Sequence, residues 1–132
     1  MQDLPIILVV EDDFLIQSLV DEALGDGGFE AAITASGEEA VTILKGHRGK
    51  YRALVTDINL KGTMDGFEVA QHAREIDPDF PIVYMSGAAA SDWASKGVPN
   101  SIMLPKPFAP AQVLTAVASL LNSGKPTFQS TS

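Results

Sequence analysis

The sequence predicts an α/β fold: a three-layer, doubly wound (βα)5 sandwich around a five-stranded parallel sheet. Three observations predict it. Apolar runs of strand length recur five times, each is followed by a stretch with helical spacing, and the first run lacks polar alternation. Unbroken apolar runs are expected where helices cover both faces of a parallel sheet. Right-handed crossovers then distribute those helices over the two faces.

Pro5 to Val10 (PIILVV) is the first strand. Beyond Glu11-Asp12-Asp13, the residues Phe14, Leu15, Leu19, Val20, Ala23 and Leu24 recur at helical spacing, and Gly27-Gly28 stops the helix. Phe29 to Ile33 reads as a short second strand. Ser36 is placed as an N-cap with Glu39 three residues on, a capping-box spacing, and Ala40, Val41, Ile43 and Leu44 form the stripe of the second helix. Tyr51 to Thr56 (YRALVT) is the third strand and ends at Asp57. The loop Ile58 to Asp65 leads into a helix through Phe67, Val69, Ala70 and Ala73 to Ile76. Asp77-Pro78 closes it, because a residue before proline is pushed out of helical geometry.

Phe80 to Met85 (FPIVYM) is the fourth strand, and Ser86-Gly87 opens its loop. Ala88 to Lys96 has the weakest pattern, that of a short helix or an irregular segment. Ser101 to Leu104 is a short fifth strand. Pro110 to Leu121 is the last helix, with Val113, Leu114, Val117 and Leu120 or Leu121 facing inward. One domain is expected over residues 1–122. Residues 123–132, rich in Ser, Thr, Gly and Pro, are expected to be a disordered tail.

Bulk properties narrow the function classes. A chain of 132 residues fits one domain, and 45% hydrophobic residues suffice for an ordinary core. The absence of cysteine excludes disulfides and thiolate metal sites. Nine basic against 17 acidic residues give a net charge of −8, a field that repels phosphate backbones, so nucleic acid is not an expected partner. The N-terminus lacks a basic region, and the apolar run Ile6 to Val10 is too short for a signal-peptide core or a membrane span. A cytoplasmic protein without a membrane partner is expected.

Sheets of this class bind ligands beyond the carboxyl ends of their strands. That rule selects Glu11-Asp12-Asp13, Asp57, Ser86 and Met103 to Lys106. The carboxylates among them repel one another unless a cation sits between them. Hard oxygen ligands without nearby His or Cys suit Mg²⁺, which also accepts phosphate oxygens. An Asp can attack phosphorus and form an acyl phosphate. Charge developing on the phosphoryl oxygens then needs electrophiles, and Mg²⁺, the Lys106 ammonium and the Ser86 hydroxyl would supply them.

Val9-Val10-Glu11-Asp12-Asp13, Asp57 after an apolar strand, Met64-Asp65-Gly66, Met85-Ser86-Gly87 and Lys106-Pro107-Phe108 together resemble the response-regulator receiver family over about residues 4 to 122. The resemblance implies the strand order 2-1-3-4-5. It implies that Asp57 accepts a phosphoryl group from a sensor histidine kinase or a histidine phosphotransfer protein. Asp12 would bind Mg²⁺ directly, Glu11 mainly through water, and the backbone carbonyl of Asn59 would be a third ligand. Ser86 would hydrogen-bond the phosphoryl group, Lys106 would pair with it, and Lys106-Pro107 would be a cis peptide. The family's switch aromatic falls at Met103, which lacks a ring and a polar tip. The loop Ile58 to Asp65 is one residue longer than the common form and Ala88 to Lys96 is a poor helix, so the family's usual partner-binding face, from the fourth helix through the fifth strand and helix, is expected to be remodelled.

Simpler readings exist for each residue taken alone. The acidic triplet could cap a helix, and Asp13 is expected to do mainly that. Asp57 could be a turn former, Ser86 a structural serine, and Lys106 a surface lysine between prolines. His47 and His72 are expected to be surface residues, Trp93 a packing residue, and Met64, Met85 and Met103 fillers of core or rim. The alternative functions are a non-phosphorylated scaffold of the same fold and an aspartate-nucleophile phosphatase. A phosphatase places a second Asp two residues after the nucleophile, where this chain has Asn59, so only self-phosphorylation and slow self-dephosphorylation are expected. An FMN site is disfavoured because the first loop is acidic where a phosphate cradle needs Gly, Ser and Thr.

Overall fold

In the computed structural model, residues 3–87 and 90–123 are described. Five strands alternate with five helices: β1 (Ile6–Val10), α1 (Phe14–Asp26), β2 (Glu30–Thr34), α2 (Gly37–Gly46), β3 (Tyr51–Asp57), α3 (Gly66–Ile76), β4 (Ile82–Ser86), α4 (Ala90–Lys96), β5 (Ile102–Pro105) and α5 (Pro110–Ser123). All strand pairs are parallel and the sheet order is β2-β1-β3-β4-β5, as the resemblance implied. The register aligns the strand ends: Val10 faces Thr34 and Thr56, Asp57 faces Met85, and Ser86 faces Pro105. Residues that follow β1 and β3 therefore meet those that end β4 and β5.

Side chains of alternate strand residues enter two separate cores. Leu8, Val10, Leu54, Ile82 and Tyr84 join Ala40, Leu44, Phe67, Val69 and Ala73 of α2 and α3 on one face. Ile7, Val9, Val55, Val83 and Met85 join Val20 and Leu24 of α1 and Val113 and Val117 of α5 on the other. Two covered faces explain why the strands read as unbroken apolar runs.

Local signals place most helix ends. The Asp13 side chain caps α1 by accepting from the N–H groups of Leu15 and Ile16. At α2 the Ser36 hydroxyl accepts from Glu39 N–H, but the Glu39 carboxylate reaches Ala35 N–H rather than the cap residue, so the expected box is only half formed. A complete capping box instead opens α3, between Asp65 and Glu68.

Three expectations need correction. Phe14 and Leu15 carry the helical pattern, yet they are 74% and 76% exposed. The buried residues of α1 lie in its second half, so its first turn projects onto the rim beyond the core. Strand β4 extends to Ser86, because pairing with β5 continues to Pro105. The last helix extends to Ser123, one residue into the expected tail. Residues 124–132 of that tail, and Ala88 and Ala89 at the start of the weak segment, lie outside the described residues. From Ala90 to Lys96 that segment is a short helix.

Candidate functional site

Glu11 and Asp12 leave β1, and Asp57 ends the neighbouring strand β3. One carboxylate oxygen from each lies within 4.8 Å of the others. Glu11 is fully buried, Asp57 is 6% exposed and Asp12 is half-buried. Lys106, just past β5, reaches the same point: its Nζ lies 3.0 Å from Glu11 Oε1 and 3.4 Å from Asp57 Oδ2. Ser86 sits at the end of β4, 1% exposed, and its carbonyl accepts from Lys106 N–H at 2.8 Å. That bond ties the β4 and β5 ends together, and the Lys106-Pro107 peptide is cis. All five expected side chains are therefore on one rim.

The supporting contacts explain the placement. Glu11 Oε2 accepts from Asp13 N–H at 3.0 Å, and its backbone is held by Thr34 C=O and by the Gln17 side-chain amide. Asn59 N–H approaches Asp57 Oδ1 at 3.4 Å, which places Asn59 directly beside that carboxylate. Gly66 N–H donates to Ile58 C=O at 2.9 Å. A Cβ at Gly66 would stand 2.2 Å from the Asp57 carbonyl oxygen and 2.8 Å from Ile58 Cα, so α3 can start this close to Asp57 only with glycine.

Three carboxylates and one ammonium leave the pocket with an excess of negative charge. Burial pushes the Glu11 carboxyl above its ordinary value; the Asp13 N–H and Lys106 oppose the rise, and the Asp57 charge adds to it. Burial also raises Asp57, against the pull of Lys106 and of Asn59 N–H, and the Asp12 charge adds to the rise. For Lys106, burial works to lower the ammonium, but Glu11 and Asp57 outweigh it and hold the group above its ordinary value. A pocket of hard oxygen atoms carrying surplus negative charge is chemically matched to a small divalent cation such as Mg²⁺.

The remaining sequence expectations fall into place around this rim. Met103 is half-buried on β5, packed against one core and paired with Tyr84 of β4. Tyr84 is the polar-tipped aromatic of this region, and the sequence reading missed it. It is fully buried, its ring packs on Phe67, and its hydroxyl accepts from Val98 N–H at 3.1 Å. Inside the apolar run FPIVYM nothing marks it off from a filler residue. Trp93 packs over the same core and donates its indole N–H to Ser101 Oγ, which donates to Val98 C=O. His47 is exposed and His72 half-buried, and neither belongs to the acidic cluster.

A doubly wound α/β domain with an acidic pocket and a lysine at the carboxyl end of its sheet belongs to a recognisable class of signalling domain. Residues 7–118 match the family model described as the response regulator receiver domain, and the chain belongs to that family. It is 30% identical over 122 residues to the response regulator MprA of Mycobacterium avium, a match covering 91% of this chain and 52% of that protein. The chain thus spans about half the length of that relative. A response regulator receiver protein from Sinorhizobium medicae superposes with a TM-score of 0.88 at 45% identity, covering 92% of this chain and 97% of that one. The receiver domain of the sensor histidine kinase PA1611 from Pseudomonas aeruginosa shares the fold at 22% identity and a TM-score of 0.76, over 91% and 99% of the two chains; its structure has a magnesium ion coordinated in the active-site cleft. Receiver domains are regulatory parts of two-component systems, and no described helix here is long and apolar enough to cross a membrane.

Proposed function

We propose that Asp57 is the phosphoacceptor of a two-component or phosphorelay pathway, taking its phosphoryl group from a sensor histidine kinase or a histidine phosphotransfer protein. The observation that carries this is the convergence of Glu11, Asp12 and Asp57 within 4.8 Å, with Lys106 3.4 Å from the acceptor carboxylate. The acid cluster fits Mg²⁺: Asp12 and Asp57 would bind it directly, Glu11 through water, and Asn59 through its backbone carbonyl. When bound, the ion neutralises part of the charge on the phosphoryl oxygens.

The chain's own residues do the rest. An Asp57 carboxylate oxygen attacks phosphorus, forming an O–P bond as the P–N bond to the donor imidazole breaks. The imidazole nitrogen leaves with the bonding electron pair and takes up a proton. Lys106 pairs with a phosphoryl oxygen, exchanging its ion pair with Asp57 for one with the phosphate. The Ser86 hydroxyl, on the same rim, donates to another. Asn59 follows the acceptor by two residues and has no exchangeable carboxyl proton, so slow self-dephosphorylation rather than phosphatase turnover is expected. The domain is read as acting in the cytoplasm through altered affinity for a protein partner.

Incubation with phosphoramidate and Mg²⁺ tests the reading. Intact mass should show one added phosphoryl group, absent with chelator and absent in Asp57→Asn. No adduct in the wild type, or an equal adduct in the variant, would overturn it.

A further inference from the structure

The loop between β3 and α3 is held near both ends, by Asn59 N–H beside Asp57 Oδ1 and by the bond from Gly66 N–H to Ile58 C=O. Its middle is held from a different element. Glu38, in the first turn of α2, extends its carboxylate over the loop, and Oε2 accepts from Thr63 N–H at 2.9 Å and from Thr63 Oγ1 at 2.6 Å. The other oxygen, Oε1, is shielded from solvent and has no hydrogen-bond partner among the described residues.

The two segments are shaped to permit this approach. Gly62 has φ +101°, and a Cβ there would lie 3.1 Å from both Glu38 carboxylate oxygens. On the α2 side, a Cβ at Gly37 would be 3.0 Å from Met64 C=O and 2.9 Å from a Val69 methyl. The loop therefore wraps a fixed anion, with glycines where each backbone passes closest. The Thr63 hydroxyl and N–H hold the Glu38 carboxyl below its ordinary value.

We infer that Glu38 is a positioning residue for the phosphoacceptor site: it anchors the β3–α3 loop and so pre-sets the Asn59 backbone for metal binding. The inference rests on the acceptor reading above, in which the Asn59 carbonyl is a ligand. Without the anchor, the hold on residues 59–63 from other elements falls to the packing of Leu60 against the core, and the polar stretch on either side of it must be ordered when the metal binds. Ordering one residue costs roughly a five- to thirtyfold loss of affinity.

The test pairs Mg²⁺ calorimetry with amide hydrogen exchange on the full chain. Glu38→Ala should speed exchange across residues 59–65 in the metal-free protein and raise the Mg²⁺ Kd by about five- to thirtyfold. Glu38→Gln, whose side-chain oxygen can still accept from both Thr63 donors, should restore both readouts nearly to wild type; a loss equal to that of alanine would contradict the anchor. Thr63→Val, which deletes one donor and spares the backbone, should shift both in the same direction by less, and serves if Glu38→Ala does not fold. Unchanged Kd in Glu38→Ala overturns the inference, whether or not exchange quickens, since faster exchange alone makes Glu38 a structural clamp. A wild type that binds no Mg²⁺ overturns the acceptor reading and this inference with it.

Discussion

Replacing Asp57 by Asn should stabilise the metal-free protein. The substitution keeps shape and the contact with Asn59 N–H but removes one charge from a pocket holding three carboxylates and one ammonium. At an effective dielectric of about 20, two like charges no more than 4.8 Å apart repel by at least roughly 3.5 kcal/mol. Asp57 has two such neighbours, Glu11 and Asp12. Its attraction to Lys106 at 3.4 Å is about 5 kcal/mol on the same scale, so repulsion exceeds attraction by about 2 kcal/mol before burial of the charge is counted. For a domain of this size the variant should melt roughly 5–10 °C above wild type in the presence of chelator. Saturating Mg²⁺ should narrow or reverse the gap, because the ion stabilises only the chain that keeps its ligand set. Thermal melts with and without Mg²⁺ measure both quantities. A variant that melts below wild type in chelator would refute the claim that the pocket stores electrostatic repulsion.

The same repulsion sets a pH dependence. Glu11 and Asp57 are raised in the folded chain, so between their ordinary and raised values the folded state holds protons that the unfolded state has released. Metal-free stability should therefore rise as pH falls from neutral through that window, and Asp57→Asn should flatten the trend; a wild type whose contribution from these groups grows toward neutral pH would contradict it. Gly66→Ala should cost roughly 2–4 kcal/mol in urea unfolding, because its Cβ meets the backbone of Asp57 and Ile58 rather than a movable side chain. A neutral effect would mean that α3 can shift away from Asp57 freely. Ser101→Ala should cost about 1 kcal/mol and shift Trp93 emission, since it strips the indole N–H and the Val98 carbonyl of their shared partner. An unchanged emission spectrum would remove Ser101 from the account of α4.

Most of the fold was legible because a sheet covered on both faces forces apolar runs, and the five runs stand out. Their ends were less legible. Ser86 belongs to β4 through its pairing with Pro105, a tertiary fact that composition does not carry. Phe14 and Leu15 fit the helical spacing of α1, but periodicity does not say where the core ends and the rim begins. The capping box from Asp65 to Glu68 was readable by the same spacing rule applied to Ser36 and Glu39, and there the rule picked the less complete of the two. Within the site, Glu11, Asp12, Asp57, Ser86 and Lys106 were legible because each follows or ends a strand at one edge of the sheet. The Glu38–Thr63 clamp was not, since its partners lie 25 residues apart on a helix and a loop with no shared pattern. Nor was Tyr84, hidden inside an apolar run.

The central claim concerns one bond, between phosphorus and the carboxylate of Asp57. An acyl phosphate is reduced by borohydride to an alcohol, which turns a phosphorylated aspartate into homoserine. Treating the protein with phosphoramidate and Mg²⁺, reducing with borohydride and sequencing the peptides by mass spectrometry should find homoserine at position 57. Homoserine at another aspartate, or none at any position despite an added phosphoryl group, would contradict the account.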